Sequence, residues 1–190
     1  RFAPRLALPL IAAPMFLVSG ARLVAAACAA GVVGAFPTAN CRDAAELDSW
    51  MRQMRDDTTR AEQDTGRKSA PICPNLIVHK SNTRLLDDLA VLCRHAPEIV
   101  ITSVGAPTPV IPALHDHGAL VLADVASIRH AEKAIAAGAD GLVLLTAGAG
   151  GQTGWVAVID KSWLKSELAA LDKAGIGVER AVPAAWPEDT

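Results

Sequence analysis

Few side chains in this sequence are spaced for chemistry, and most of them sit where apolar runs end. The richest stretch is GLVLLTAGAGGQTGW, residues 141–155. There an apolar run gives way to Gly148, Gly150, Gly151 and Gly154, a GxGGxxG pattern. Glycines at such a place let an anionic or planar ligand approach several backbone N–H groups closely. The spacing differs from the GxGxxG of dinucleotide folds, and no Lys-Ser/Thr follows as a P-loop requires. A glycine-rich surface loop without a ligand is the competing reading. Gln152 lies within the motif; its amide donates and accepts hydrogen bonds but takes no proton at neutral pH.

Other candidates stand at the ends of other apolar runs. His79, in NLIVHK, is a titratable group that could serve as base or donor, or pack on a rim with its nitrogens satisfied. Asp124 ends LVLADV, where a carboxylate is costly unless it is bonded, functional or capping the next helix. Pro14 and Met15 end LPLIAAPM, and Met15 offers either a wall for a flat ring or plain packing. Ser19, Phe36, Pro37, Thr38, Asn75, Lys80, Ser103 and Gly105 complete the set of strand ends. No Ser–His–Asp or Cys–His order is present, and paired carboxylates are lacking. His95, His115, His117 and His130 read as surface histidines. HDHG imitates a metal pair but falls opposite the expected active face, so no metal is assigned. Cys28, Cys41, Cys73 and Cys93 show no CxxC spacing and read as reduced thiols, Cys28 and Cys93 being buried on helices.

The elements that must carry these residues alternate. Apolar runs LPLIAAPM, GVVGAFPT, NLIVHK, EIVITSVG, LVLADV and GLVLLTAG read as strands, and Pro74 marks where pairing of the third begins. Between them, SGARLVAAACAAG is a helix with Ser19 as N-cap, and DAAELDSWMRQMRDD is one capped by Asp43 with Glu46 three residues on. NTRLLDDLAVLCRH, a short piece near PVIPALHDHG, and SIRHAEKAIAAG follow. Six βα units with near-continuous apolar strands imply a parallel sheet covered by helices. An open doubly wound sheet and a (β/α)8-type barrel both fit this pattern. After Gly154 the alternation fails: WVAVID is at most one more short strand, KSWLKSELAALDKAG is an amphipathic helix, and the end is Pro-rich. Residues 1–155 therefore read as the (β/α) barrel portion, and 156–190 as a C-terminal helix and irregular tail rather than an independent domain.

Composition narrows the function. Of 190 residues, 51% are hydrophobic but only 4% aromatic, so small aliphatics must fill the core. The net charge of −2 gives no electrostatic footprint for nucleic acid. The charged run MRQMRDDTTRAEQDTGRK mixes both signs and reads as a solvated helix face. Arg1 and Arg5 before LALPLIAAPMFLV imitate a leader, yet Pro9 and Pro14 break the apolar segment. Pro, Gly and Arg22 interrupt every stretch long enough to span a bilayer. The expectation is a cytoplasmic protein with no membrane partner.

Taken together, LPLIAAPMFLVSGARLVAAACAAGVVGAFPT, NLIVHKSN, IVITSVGAP and HDHGALVLADVASIRHAEKAIAAGADGLVLLTAGAGGQTG resemble, in order and spacing, the nitronate monooxygenases, formerly called 2-nitropropane dioxygenases. The resemblance covers roughly residues 5–155. It implies a (β/α)8-type TIM barrel holding FMN non-covalently. The flavin ring would lie near Pro14, Met15 and Asn75, with Asp124, Gly148, Gly150, Gly151 and Gln152 adding contacts. It further implies oxidation of alkyl nitronates with O2 to a carbonyl compound and nitrite, the flavin carrying the electrons. Another FMN barrel, such as an NAD(P)H-dependent enoyl reductase, is the neighbouring reading.

Two departures qualify the resemblance. Many members carry a histidine, their proposed base, where this chain has Gln152, which leaves His79 as the substitute. The segments that follow in the family, two strands whose glycine-rich ends hold the FMN phosphate, have no counterpart here, so the barrel is expected to be incomplete. Strands one and six would then expose unpaired edges. A partner copy in a homo-oligomer would cover them; a truncated, catalytically inactive barrel that only binds ligand or partner is the third reading.

Overall fold

The computed structural model describes residues 2–145 and the backbone of residues 156–160. Seven strands form one sheet in sequential order. They are β1 (Ile11–Ala12), β2 (Val33–Pro37), β3 (Ile72–Ile77), β4 (Ile99–Ser103), β5 (Leu120–Val125), β6 (Gly141–Leu145) and β7 (Val156–Asp160). Five helices connect them: α1 (Ala21–Ala29), α2 (Ala44–Thr65), α3 (Leu85–His95), α4 (Ile111–Asp116) and α5 (Ile128–Ala137). The first six strands are all parallel. Strict β-helix-β order with neighbouring strands always adjacent is the winding of a TIM barrel, incomplete among the described residues.

Strand periodicity separates two apolar layers. Phe36, Leu76, Val100, Val121 and Leu142 point to the helices, where they meet Leu47 and Met54 of α2, Leu92 of α3 and Leu114 of α4. Val33, Ala35, Cys73, Ile99, Ile101, Leu122 and Val143 point the other way, into the barrel, and Phe2, Leu6 and Ile11 pack against them. Fully burying such side chains contributes about 1.5–3 kcal/mol each, so both faces of the sheet must be covered. The layer between α1 and β2 is especially thin. A Cβ on Gly34 would lie 2.5 Å from the Val24 carbonyl oxygen and 2.9 Å from Cys28 Sγ. Glycine is what lets the helix sit this close.

Several local expectations change. β1 is two residues long, because Pro9 and Pro14 bracket it without N–H donors. Ser19 does not cap α1, whose N-cap is Gly20; the Ser19 hydroxyl is committed to the loop before it. Pro74 lies inside β3: pairing with β2 begins at Ile72, whereas pairing with β4 begins only at Asn75. The second helix runs on to Thr65 and buries Met51, Met54 and Thr58, so the charged run there is solvated on one face only. Asp43 caps it as expected, accepting from the Glu46 N–H at 2.8 Å, but the Glu46 carboxylate turns to Arg42 instead of the capping residue. At the far end, β7 pairs antiparallel with β6, from Leu145 opposite Val156 to Gly141 opposite Asp160. The edge of the sixth strand is therefore paired, contrary to expectation.

Candidate functional site

Parallel winding places every strand's C-terminal end on one rim, and the alternation of side chains decides what faces inward there. Counting on from the buried inner layer, Pro37, Asn75, Ser103, Asp124 and Leu145 share the barrel-facing side of β2 through β6. Asn75 is buried, and its Oδ1 accepts the Ser103 hydroxyl at 2.9 Å. Its amide nitrogen makes no hydrogen bond among the described residues.

Next to this pair, Asp124 is only partly open to solvent. Burial pushes its carboxyl up to about 6, against which the Val104 backbone N–H and the nearby His130 act more weakly. It lines a cavity of about 450 Å³ with Val104, Gly105, Pro107, His130, Lys133 and Leu145. An acidic group that changes charge near pH 6, with exposed His130 and Lys133 at the same opening, can exchange hydrogen bonds with an anionic or heteroaromatic ligand.

The remaining candidates divide. Pro14 and Met15 follow β1 at the same rim, Met15 half-exposed. His79 lies beyond the end of β3 and is exposed. Its Nδ1 accepts the Ser81 N–H at 3.2 Å and faces the Ser81 hydroxyl at 2.7 Å. In the neutral ring this leaves the proton on Nε2, so the outward nitrogen is a donor. Gly148, Gly150, Gly151 and Gln152 lie outside the described residues.

Sequence reasoning undervalued four residues. Ser103 shares its facing with Asn75, a signal that strand register alone reveals. His130 is not simple surface, since it lines the cavity, and Lys133 joins it one helical turn on. His95 is not surface either: its side chain is 8% exposed, with Nε2 2.8 Å from Asp48 Oδ1. Asp48 would favour a charged imidazole, but it already pairs with Arg52 and Arg94. Burial first, then Arg55, Arg52 and Arg94, hold His95 below the usual histidine range. His115 bonds Asp140 at 2.8 Å and His117 faces the Ala113 carbonyl, each tying down local backbone. Among the described residues no three His, Cys, Asp or Glu side chains come together to hold a metal ion, and no helix is long and apolar enough to cross a membrane.

An inward-facing polar set stands at the C-terminal rim of a parallel α/β barrel, the rim where barrels of this class carry their sites. The chain belongs to the nitronate monooxygenase family, whose model matches residues 4–184. No curated protein matches the sequence. Among solved structures, it is similar to FabK from Thermotoga maritima, at 23% identity and TM-score 0.65, over 82% of this chain and 47% of that one. It is similar to nitroalkane oxidase from Streptomyces ansochromogenes at 23% identity and TM-score 0.65, over 93% and 54%. A mandelate oxidase mutant with a monooxide FMN adduct is more distant, at 19% identity and TM-score 0.51, over 88% and 55%. At these identities the likeness is one of fold. The chain spans about half the length of these structures.

Proposed function

We propose that this protein is an FMN-dependent oxidoreductase that oxidises alkyl nitronates with O2, yielding a carbonyl compound and nitrite. The observation that carries the reading is the Asn75–Ser103–Asp124 set on the barrel face of three adjacent strands, in a chain of the nitronate monooxygenase family. The residues fit a flavin. The Asn75 amide, fixed by Ser103, suits a ring carbonyl or nitrogen, and Asp124 accepts hydrogen bonds once ionised above about pH 6. Pro14 and Met15 supply an apolar edge at the same rim, and Gly148, Gly150, Gly151 and Gln152 are assigned to further contacts. Bound FMN would supply the electron transfer between the nitronate and O2.

The protein's own part is binding and orientation. Lys133 offers a nitronate oxygen an ammonium donor in the same lining as the Asp124 carboxylate. His79, with its Nδ1 engaged by Ser81, is better suited to donate from Nε2 than to remove a carbon-bound proton. Nitronates are therefore expected to turn over and the parent nitroalkanes to react slowly. A second reading, an NAD(P)H-dependent enoyl reductase, draws on the likeness to FabK.

The test is direct. The visible spectrum of the purified protein, before and after adding FMN, reports flavin binding. Nitrite released from ethyl nitronate supports the first reading, whereas NAD(P)H oxidation with an enoyl substrate supports the second. A colourless protein that takes up no FMN overturns both. His79→Ala with unchanged turnover of both neutral and anionic substrates removes that residue from the reaction.

A further inference from the structure

The loop between β1 and α1 is built against its own preferences. Leu17 has φ +61° and is 80% exposed, and Phe16 and Val18 beside it are more than half exposed. A leucine in the left-handed region crowds its Cβ against the carbonyl, and outward-facing apolar side chains do nothing to hold it there. Such strain persists only where the surroundings over-determine it, and it gathers at ligand sites.

Across the loop reaches one side chain from beyond the next strand's end. Asn40 Oδ1 accepts the Leu17 N–H at 2.9 Å, and its Nδ2 donates to the carbonyls of Met15 at 3.1 Å and Ser19 at 3.0 Å. Ser19 braces the same loop from within, its hydroxyl accepting the Met15 N–H at 3.0 Å and donating to the Ala13 carbonyl at 3.1 Å. Only an amide matches this demand for one acceptor and two donors. Aspartate would keep the acceptor but set a carboxylate against two carbonyls.

We propose that Asn40 is a positioning residue that holds the 13–19 loop in place around the left-handed Leu17, so that Pro14 and Met15 present a fixed edge to the flavin ring. This rests on the FMN reading above. Asn40 touches neither ring nor substrate; it acts by making the loop rigid before the ligand arrives, which removes an ordering cost from binding.

The test uses the full chain and FMN itself. Wild type, Asn40→Ala, Asn40→Asp and the double variant Asn40→Ala/Leu17→Gly are titrated with FMN by fluorescence, and amide hydrogen exchange is followed in the same samples. In Asn40→Ala the amides of Met15 and Leu17 exchange faster, and FMN binds about tenfold more weakly. Asn40→Asp, nearly the same size, loses as much. Leu17→Gly in the alanine background recovers part of the affinity, because glycine adopts the left-handed conformation unaided. A merely structural Asn40 would show no such rescue. If wild type binds FMN and both Asn40 variants bind it equally well, or if glycine rescues nothing, the positioning role is wrong while the flavin reading stands. If wild type binds no FMN, the flavin reading itself falls and takes this role with it.

Discussion

Replacing Asp124 with asparagine should make the flavin-free protein more stable, and only above a definite pH. In the folded protein burial raises the carboxyl from 3.8 to about 6, while in the unfolded chain it ionises near its ordinary value. Between those two pH values the folded state holds more protons than the unfolded one, so stability falls as pH rises through the window and levels off above it. A gap of about two units corresponds to ~3 kcal/mol at 1.36 kcal/mol per unit. Because the side chain is partly open to water, screening reduces this to about 1–2 kcal/mol. Asparagine has the same shape, can still accept the Val104 N–H, and never ionises. Urea unfolding of both proteins at pH 4, 5, 6 and 7.5, with the wild-type curve subtracted, isolates this one group. The variant should gain little at pH 4 and about 1–2 kcal/mol at pH 7.5, while its FMN affinity falls, the usual exchange of stability for function. A difference in stability that is the same at every pH would refute the assignment of a desolvated carboxylate.

Other perturbations follow from the packing. Gly34→Ala forces a methyl to within 2.5 Å of the Val24 carbonyl oxygen, which can move only with α1, and should cost about 1–3 kcal/mol by thermal or urea unfolding. An unchanged melting temperature would contradict the close α1–β2 contact. Burial pushes the thiols of Cys28 and Cys41 up to about 11 and 12, and raises that of Cys73 further. A thiol-disulfide reagent should therefore label these three only in denaturant; rapid labelling of native Cys73 would contradict its place in the barrel layer. With His95 held below its ordinary value, the unfolded state binds the extra proton below about pH 6.5, and the wild type loses stability as pH falls from there. His95→Gln should flatten that loss, and an unaltered acid limb in urea titrations would exclude it.

Much of the barrel was legible because its signals are local. Apolar runs with glycine and proline punctuation marked six strands, and Asp43 capped its helix as the residue type requires. The errors share one cause, side-chain partners distant in sequence. Ser19 looked like a cap until Met15 and Ala13 claimed its hydroxyl. His95 looked like surface until Asp48, 47 residues earlier, was brought against it. Asn40 drew no notice, since nothing in TAN announces three bonds to a loop on another strand.

The sequence by itself determined the periodicities, and with them the parallel βα winding, the inner and outer faces, and the glycine-rich end of the sixth strand. Those follow from hydrophobic spacing and backbone chemistry within a dozen residues. Tertiary structure decided which polar residues meet: register set Ser103 against Asn75, curvature of the packing half-buried Asp124, and β7 turned antiparallel onto β6. Register and pairing direction are fixed by contacts between segments far apart in the chain, and it is those contacts that turn a row of strand ends into a site.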